Sequence, residues 1–206
     1  MTAAFAKEMG MSVRYQNVFV DETWSRNGDF YLSIGHVNLS LGHRLIEYGP
    51  TESALTIDFL PPANIKGLRA WVIDESTIVA MYMNNRAVEA LTVGNIDDAY
   101  WYAREAVLQD RRFLTAFNTL GVVYQRHGNL PQAQVAFEYV LEREPGNTRS
   151  MSNLVAVLFA SGQTVAAEAL TRKLAQIEPN PPFAYFKRGL AAMEKGDYKL
   201  AQQMFS

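Results

Sequence analysis

Residues 114–147 read LTAFNTLGVVYQRHGNLPQAQVAFEYVLEREPGN, and their pattern is the most informative in the chain. On both sides of Gly128, apolar residues recur three and four positions apart, which is the spacing of one face of an α-helix. Glycine favours the chain reversal between two such helices, and Pro145 ends the second of them. The stretch therefore predicts two antiparallel helices joined by a turn at Gly128.

The same pattern recurs along the rest of the chain. Four glycines follow one another at intervals of 34 residues, and an alanine lies five residues after each of them. One pair of helices cannot bury its apolar face alone, so consecutive pairs stack on one another. The sequence therefore predicts an all-α solenoid of about 3.7 repeats. The glycines are Gly94, Gly128, Gly162 and Gly196, the alanines are Ala99, Ala133, Ala167 and Ala201, and the repeats are 80–113, 114–147, 148–181 and 182–206.

The repeat at 114–147 resembles the tetratricopeptide repeat (TPR). Small residues of that motif allow two helices to approach closely, and large ones fill the space between them. The other units depart from the motif: Arg111 replaces the terminal proline of the first, and Thr171 replaces the large aromatic residue of the third. The residues that match the motif are Phe117, Leu120, Gly121, Tyr124, Gly128, Ala133, Phe137 and Pro145.

The resemblance implies an interaction scaffold, in which the first helix of each repeat lines a groove for an extended peptide or a partner helix. Asparagine both donates and accepts hydrogen bonds, so a row of asparagines could hold a peptide backbone. The alternative is a polar, solvated face. Asn84 and Val88 stand where the chaperone-binding members of the family carry a lysine and an asparagine, which argues against binding of a chaperone C-terminal carboxylate. The candidate peptide-binding residues are Asn84, Asn85, Asn118, Gln125, Asn153 and Lys187.

Residues 1–75 lack the repeat and form the predicted β-rich part of an α+β chain, with 76–206 as the solenoid. A short helix at 2–10 precedes three runs of β-forming residues, VRYQNVFV, FYLSIGHVNLSL and SALTIDFL. The third run ends at Pro61 and Pro62, and 63–75 reads as a connector. Asp74 or Ser76 is the expected N-cap of the first repeat helix.

This order of elements, over about residues 1–62, resembles the C-terminal half of a transglutaminase-like domain. In that family a cysteine at the start of the helix is deprotonated by a histidine on one strand, which an aspartate on the next strand orients. His36 in GHVNLSL and Asp58 in LTIDF match the last two positions. The chain has no cysteine, and the family's cysteine would lie before Met1. The pair is therefore the remnant of a site that is inactive in this chain, part of a thiol hydrolase or acyltransferase completed upstream, or a structural element of a pseudoenzyme.

Composition excludes several function classes. Nineteen basic and 21 acidic residues give a net charge of −2 without clustered cations, which argues against binding of nucleic acid or an anionic membrane. No run of 18 apolar residues could span a membrane, and the first residues do not form a signal peptide. Three scattered histidines and no cysteine suggest neither a metal site nor a cofactor. We expect a soluble protein of the cytoplasm or periplasm.

The last repeat stops at Ser206, partway through its second helix. Solenoids normally end in a polar capping helix, whereas this one ends on Met204 and Phe205. We therefore expect a truncated array whose open end promotes self-association.

Overall fold

The computed structural model describes residues 2–27, 30–42, 55–60, 68–180 and 184–205. It divides into two compact units, Met1–Ala116 and Phe117–Ser206. The first helix pair of the array thus groups with the N-terminal elements, whereas the sequence-based boundary was placed between residues 75 and 76. Several predicted features lie outside the description: Pro61, Pro62, Ser206 and the side chains of Lys187 and Phe205.

A helix and an antiparallel sheet form the start of the first unit. Helix α1 (Thr2–Glu8) is followed by strands β1 (Ser12–Asn27), β2 (Phe30–Gly42), β3 (Leu55–Ile57) and β4 (Ala70–Ile73). The strand order is β3-β2-β1-β4, so β1 and β2 are the two central strands. The predicted helix and three strands are all found, and β1 continues through the polar stretch that follows residue 20.

Strand β4 corrects the expectation that 63–75 is only a connector. Its sequence AWVI is rich in β-formers but too short to display an alternating pattern. It becomes a strand by pairing with β1, for example Gln16 with Val72. Pairing of this kind depends on a partner distant in sequence, which a local pattern does not reveal.

The remaining elements are helices in antiparallel pairs. The turn of each pair lies at a glycine with a positive φ, as at Gly128, where φ is 87°. A left-handed conformation strains any residue that has a Cβ atom, which is why glycine recurs there. The helices are α2 (Glu75–Thr92), α3 (Ile96–Gln109), α4 (Leu114–Arg126), α5 (Leu130–Arg143), α6 (Thr148–Ala160), α7 (Thr164–Ile177), α8 (Ala184–Glu194) and α9 (Tyr198–Phe205).

Helix α2 begins before the first predicted repeat, at Glu75, with Asp74 at the N-cap position. The Asp74 side chain makes no capping hydrogen bond and instead accepts one from Arg112 at 2.6 Å. Next to this pair, the buried carboxylate of Asp110 accepts a hydrogen bond from Thr77 at 2.5 Å. These contacts join the start of α2 to the end of α3.

Small side chains make the packing of the helix pairs possible. The four alanines of the repeat are buried, as predicted: Ala99, Ala133 and Ala167 are fully inaccessible and Ala201 is 4% exposed. In the second unit, Ala133 and Ala167 join Phe137, Leu154, Val157 and Leu158 in one apolar core. Close approach and an apolar core thus coincide at the positions that the repeat specifies.

Candidate functional site

Two asparagines of successive repeats contact each other in the second unit. Asn118 lies on α4 and Asn153 on α6, and Nδ2 of Asn153 donates a hydrogen bond of 3.0 Å to Oδ1 of Asn118. The hydroxyl of Ser150 donates a second one, also 3.0 Å, to the same oxygen. The structure therefore brings together two of the predicted peptide-binding residues and adds a third polar group.

Ser150 was missed by sequence reasoning because it is fully buried. It occupies the position that Ala116 holds one repeat earlier, and Ala116 is fully buried as well. A serine where the preceding repeat has an alanine was the available signal, since a buried hydroxyl needs a hydrogen-bond partner.

The bonds to Ser150 and Asn153 determine which amide atoms remain for a ligand. Ser150 and Asn153 both donate to Oδ1 of Asn118, so these two bonds do not use the Nδ2 hydrogens of Asn118. They also do not use the Oδ1 atom of Asn153. In the described part of the chain no residue bonds to either of these remaining groups. The pair thus combines one donor and one acceptor, which are the two polar groups of a peptide unit.

The repeat spacing predicts an apolar row beside these amides. Val122 follows Asn118 by four residues, and Ala156 follows Asn153 by three, so each lies on the same face of its helix as the asparagine. The equivalent position of α8 is Leu190, which is 39% exposed. Two further exposed side chains, Phe159 (49%) and Met193 (47%), lie one turn beyond this row. This surface of the second unit therefore carries polar amides next to accessible apolar side chains.

The other predicted peptide-binding residues differ in their surroundings. Gln125 is partly exposed on α4, three residues beyond Val122. In the first unit Asn85 is exposed, whereas Asn84 is buried, and its Oδ1 has no hydrogen-bond partner among the described residues. Asn85 is accessible to a ligand and Asn84 is not.

A second cluster of polar side chains lies on the sheet of the first unit. Nε2 of His36, on β2, lies 2.7 Å and 2.9 Å from the two carboxylate oxygens of Asp58, which directly follows β3. The amide of Asn38 donates a hydrogen bond to Oδ2 of Asp58 at 2.9 Å, and the backbone N–H of Leu60 donates one to Oδ1 at 2.8 Å. The structure thus brings His36 and Asp58 together across two strands, as the sequence suggested.

The strand register explains this arrangement. His36, Asn38 and Ser40 alternate with Val37 and Leu39, so they project from the same face of β2. Asp58 continues β3 on that face, since the preceding pairs are Ser40 with Thr56 and Leu39 with Ile57. Sequence reasoning missed Asn38, although its position two residues after His36 would have placed it beside the pair.

The environment keeps Asp58 ionised. Its side chain is only 3% exposed, against 16% for His36. Burial acts to raise the pKa of the Asp58 carboxyl, but the hydrogen bonds from Leu60, His36 and Asn38 outweigh burial, and the pKa lies below its ordinary value. A buried anion with three donors around it can orient a neighbouring imidazole.

The residues that the structure describes contain neither a cluster of metal ligands nor a membrane-spanning helix. No group of three or more potential ligands among their histidine, aspartate and glutamate side chains could hold a metal ion. Of the helices in these ranges, none combines the length and the apolar character needed to cross a membrane.

Part of the helical region matches a known protein family. Residues 124–190 match the family model of the tetratricopeptide repeat. No curated protein matches the sequence of the chain.

Several solved structures share the fold at low sequence identity. The TPR domain of Arabidopsis OM64 is 13% identical, with a TM-score of 0.50 over 52% of this chain and 88% of that domain. The first TPR domain of Spaghetti (RPAP3), bound to an HSP90 peptide, is 16% identical, with a TM-score of 0.50 over 63% of this chain and 98% of that one. The type III secretion translocator chaperone SycD of Yersinia enterocolitica is also 16% identical, with a TM-score of 0.50 over 64% and 96% of the two chains. Residues 124–190 thus match the tetratricopeptide repeat family, and the helical part of the chain shares the fold of solved TPR domains.

Proposed function

We propose that this chain is a protein-interaction scaffold and that its second unit holds an extended peptide by the peptide backbone. The observation that carries the proposal is the hydrogen-bonded trio of Asn118, Asn153 and Ser150. It fixes two side-chain amides in defined orientations on neighbouring first helices. Ordering them in advance lowers the entropy lost when a ligand binds.

The chemistry of the surface suits an extended segment. The free N–H groups of Asn118 can donate to a peptide carbonyl, and the free oxygen of Asn153 can accept from a peptide N–H. Side chains of an extended peptide alternate in direction, so every second one can face the row of Val122, Ala156 and Leu190. We therefore expect a partner segment with apolar side chains at alternate positions and little dependence on its charged residues.

One solved structure of the same fold supplies a precedent for peptide binding. The Spaghetti domain was solved with an HSP90 peptide, and it shares the fold of this chain. Asn84 and Val88 replace the residues that in chaperone-binding domains contact a C-terminal carboxylate, and Asn84 is buried. We therefore propose an internal segment of a partner protein as the ligand, not a chaperone C-terminus.

The test begins with selection of peptides from a displayed random library on the full chain, followed by fluorescence anisotropy with one selected peptide. Replacing both asparagines, Asn118→Ala with Asn153→Ala, should weaken binding about thirtyfold, since two hydrogen bonds are each worth about 1 kcal/mol. The matched control is Asn129→Ala, because Asn129 is exposed at a turn and its side chain makes no capping bond.

A second measurement separates backbone recognition from side-chain recognition. An ester replaces one peptide bond of the selected peptide at a time and removes one N–H donor. At one position the ester should weaken binding to the wild-type chain and have no further effect on Asn153→Ala. Equal affinity of the double variant and the wild type would show that the asparagines do not contact the ligand.

The contact between His36 and Asp58 favours a second candidate function. The N-terminal part would then belong to a transglutaminase-like thiol hydrolase or acyltransferase whose cysteine is encoded upstream of Met1. An imidazole oriented by a buried carboxylate is the base that such chemistry requires. In a pseudoenzyme, the same pair would serve only as a hydrogen-bonded element of the sheet.

Covalent labelling distinguishes the enzyme hypothesis from the pseudoenzyme hypothesis. Because the chain as given has no cysteine, an acyl-type probe should not label it. If the enzyme hypothesis is correct, a chain extended by its own upstream coding sequence should be labelled, and the labelling should disappear in His36→Ala. An upstream helix without a cysteine would refute the enzyme hypothesis and favour the pseudoenzyme hypothesis.

A further inference from the structure

The amide of Asn38 is oriented at a cost to the fold. Its oxygen Oδ1 is buried and has no hydrogen-bond partner among the described residues. Its nitrogen donates to Oδ2 of Asp58 at 2.9 Å. An ionised carboxylate can only accept hydrogen bonds, so the nitrogen end of the amide must face Asp58. Among the described residues, the oxygen of Asn38 is thus a buried acceptor without a hydrogen bond, while the nitrogen of the same amide donates to the Asp58 carboxylate.

This donor completes a set that fixes the carboxylate from two sides. The backbone N–H of Leu60 donates to Oδ1 of Asp58, and Asn38 donates to Oδ2. Leu60 is close to Asp58 in sequence and cannot by itself determine how the carboxylate faces the neighbouring strand. Asn38 lies on β2, two residues from His36, and therefore ties the carboxylate to the strand that carries the imidazole.

The state of His36 follows from the state of Asp58. Since both oxygens of the carboxylate lie within hydrogen-bond distance of Nε2, and neither carries a hydrogen, Nε2 must carry the proton. In the neutral imidazole, Nδ1 is then the bare nitrogen, and it makes no hydrogen bond to any residue of the described ranges. The ring is 16% exposed, so a group from outside the cluster can approach it.

We propose that Asn38 is the positioning residue of this site: it holds the Asp58 carboxylate so that His36 keeps its proton on Nε2 and presents Nδ1 as an acceptor. The ligand class that fits such an acceptor is a neutral hydrogen-bond donor, namely a hydroxyl or a thiol. Anions do not fit, because the Asp58 carboxylate and the Asn38 oxygen repel them. The inference goes beyond both functions proposed above, since it holds whether or not a nucleophile exists upstream.

Nitrogen-15 NMR of the histidine rings tests the proposal on the full chain. Long-range proton–nitrogen spectra distinguish the two neutral tautomers, and loss of signals in His36→Gln assigns the ring among the three histidines. In the wild-type chain we expect His36 as the Nε2–H tautomer. In Asn38→Leu we expect the other tautomer to appear and the Nε2 proton to exchange with water about tenfold faster, because a hydrogen bond to a charged group is worth at least that factor.

Ser40→Ala is the matched control. Ser40 is buried on the same face of β2, two residues beyond Asn38, and is not bonded to Asp58. It should leave the tautomer and the exchange rate of the His36 ring unchanged. A general loosening of the strand would alter the ring in both variants, whereas a positioning role alters it in the Asn38 variants alone.

Two results would overturn the proposal. One is a wild-type His36 ring in the Nδ1–H form or in a mixture of tautomers, and this measurement needs no variant. The other is an unchanged tautomer and exchange rate in a folded Asn38→Leu chain. If Asn38→Leu does not fold, the smaller Asn38→Ala is measured in its place, since it also lacks a donor to Asp58.

Discussion

The sharpest stability prediction concerns the close approach of α4 to α5. A Cβ atom added to Gly121 would lie 2.6 Å from Cε1, 2.8 Å from Cζ and 2.9 Å from Cδ1 of the Phe137 ring. Favourable carbon–carbon contacts lie at about 3.5–4.0 Å, so the ring would need to retreat by roughly 1 Å. Phe137 is fully buried and belongs to the same apolar core as Ala133, Leu154 and Val157, so a displaced ring would push against these neighbours. Gly121→Ala therefore overpacks the core of the second unit.

The expected magnitude is a balance of two opposing effects. Overpacking of this kind costs about 1–3 kcal/mol. Replacing glycine by alanine inside a helix recovers about 0.5–1 kcal/mol. Because the cost of overpacking exceeds the gain in helix propensity, we expect Gly121→Ala to lower the free energy of unfolding by about 1–2 kcal/mol.

A double-mutant cycle measured by urea unfolding, with circular dichroism as the signal, isolates the contact. In a Phe137→Leu background the ring is absent, so Gly121→Ala should raise stability by about 0.5–1 kcal/mol. The sign of the effect thus reverses between the two backgrounds. The control is Gly128→Ala, whose Cβ would meet no atom within 4 Å. It should cost about 1–2 kcal/mol in either background, because the strain is that of the left-handed backbone alone.

If Gly121→Ala is neutral or stabilising in the wild-type chain, or if its effect is the same in both backgrounds, the added Cβ atom does not clash with Phe137.

Three further predictions rest on buried polar contacts. Ser150→Ala should lower the free energy of unfolding by about 1 kcal/mol, because Asn118 keeps only its bond to Asn153; no change in a urea titration would show that the serine bond contributes nothing. Thr77→Val should cost about 1–3 kcal/mol by leaving the buried carboxylate of Asp110 without its hydroxyl donor, again measured by urea unfolding. Asp58 has a pKa below the unfolded value of about 3.8, so its ionised form stabilises the folded state. The stability difference between the wild type and Asp58→Asn should be complete above about pH 4, and it should decline as the pH falls through the lowered pKa. A difference that does not change between pH 7 and pH 2 would contradict this assignment.

Local patterns were sufficient for the helical part. The glycine spacing of 34 residues placed the four turns, and the structure has a left-handed glycine at each of them. The alanines that follow were predicted to allow close packing, and Ala99, Ala133 and Ala167 are fully buried. A repeat is readable because each unit solves the same packing problem with the same residues at the same spacing.

Local patterns were insufficient for the sheet. The runs that contain His36 and Asp58 could be predicted as strands from their β-forming residues. No local sequence pattern predicted strand β4 or its position beside β1. Asn38 and Leu60 were also missed, because their importance depends on what Asp58 meets after the strands pair. Residues that stabilise a site from a neighbouring strand carry no motif of their own.

The helix pairs, their turns and the small residues between them could thus be predicted from the sequence, since they follow from spacing along one chain. Folding was needed to show that Ser150 and Asn153 share the oxygen of Asn118, and that Asn38 directs the carboxylate of Asp58 towards His36. The physical reason is that a hydrogen bond between distant segments depends on a few tenths of an ångström and on the orientation of an amide. Spacing in sequence sets which helices and strands form, and packing sets which polar atoms meet.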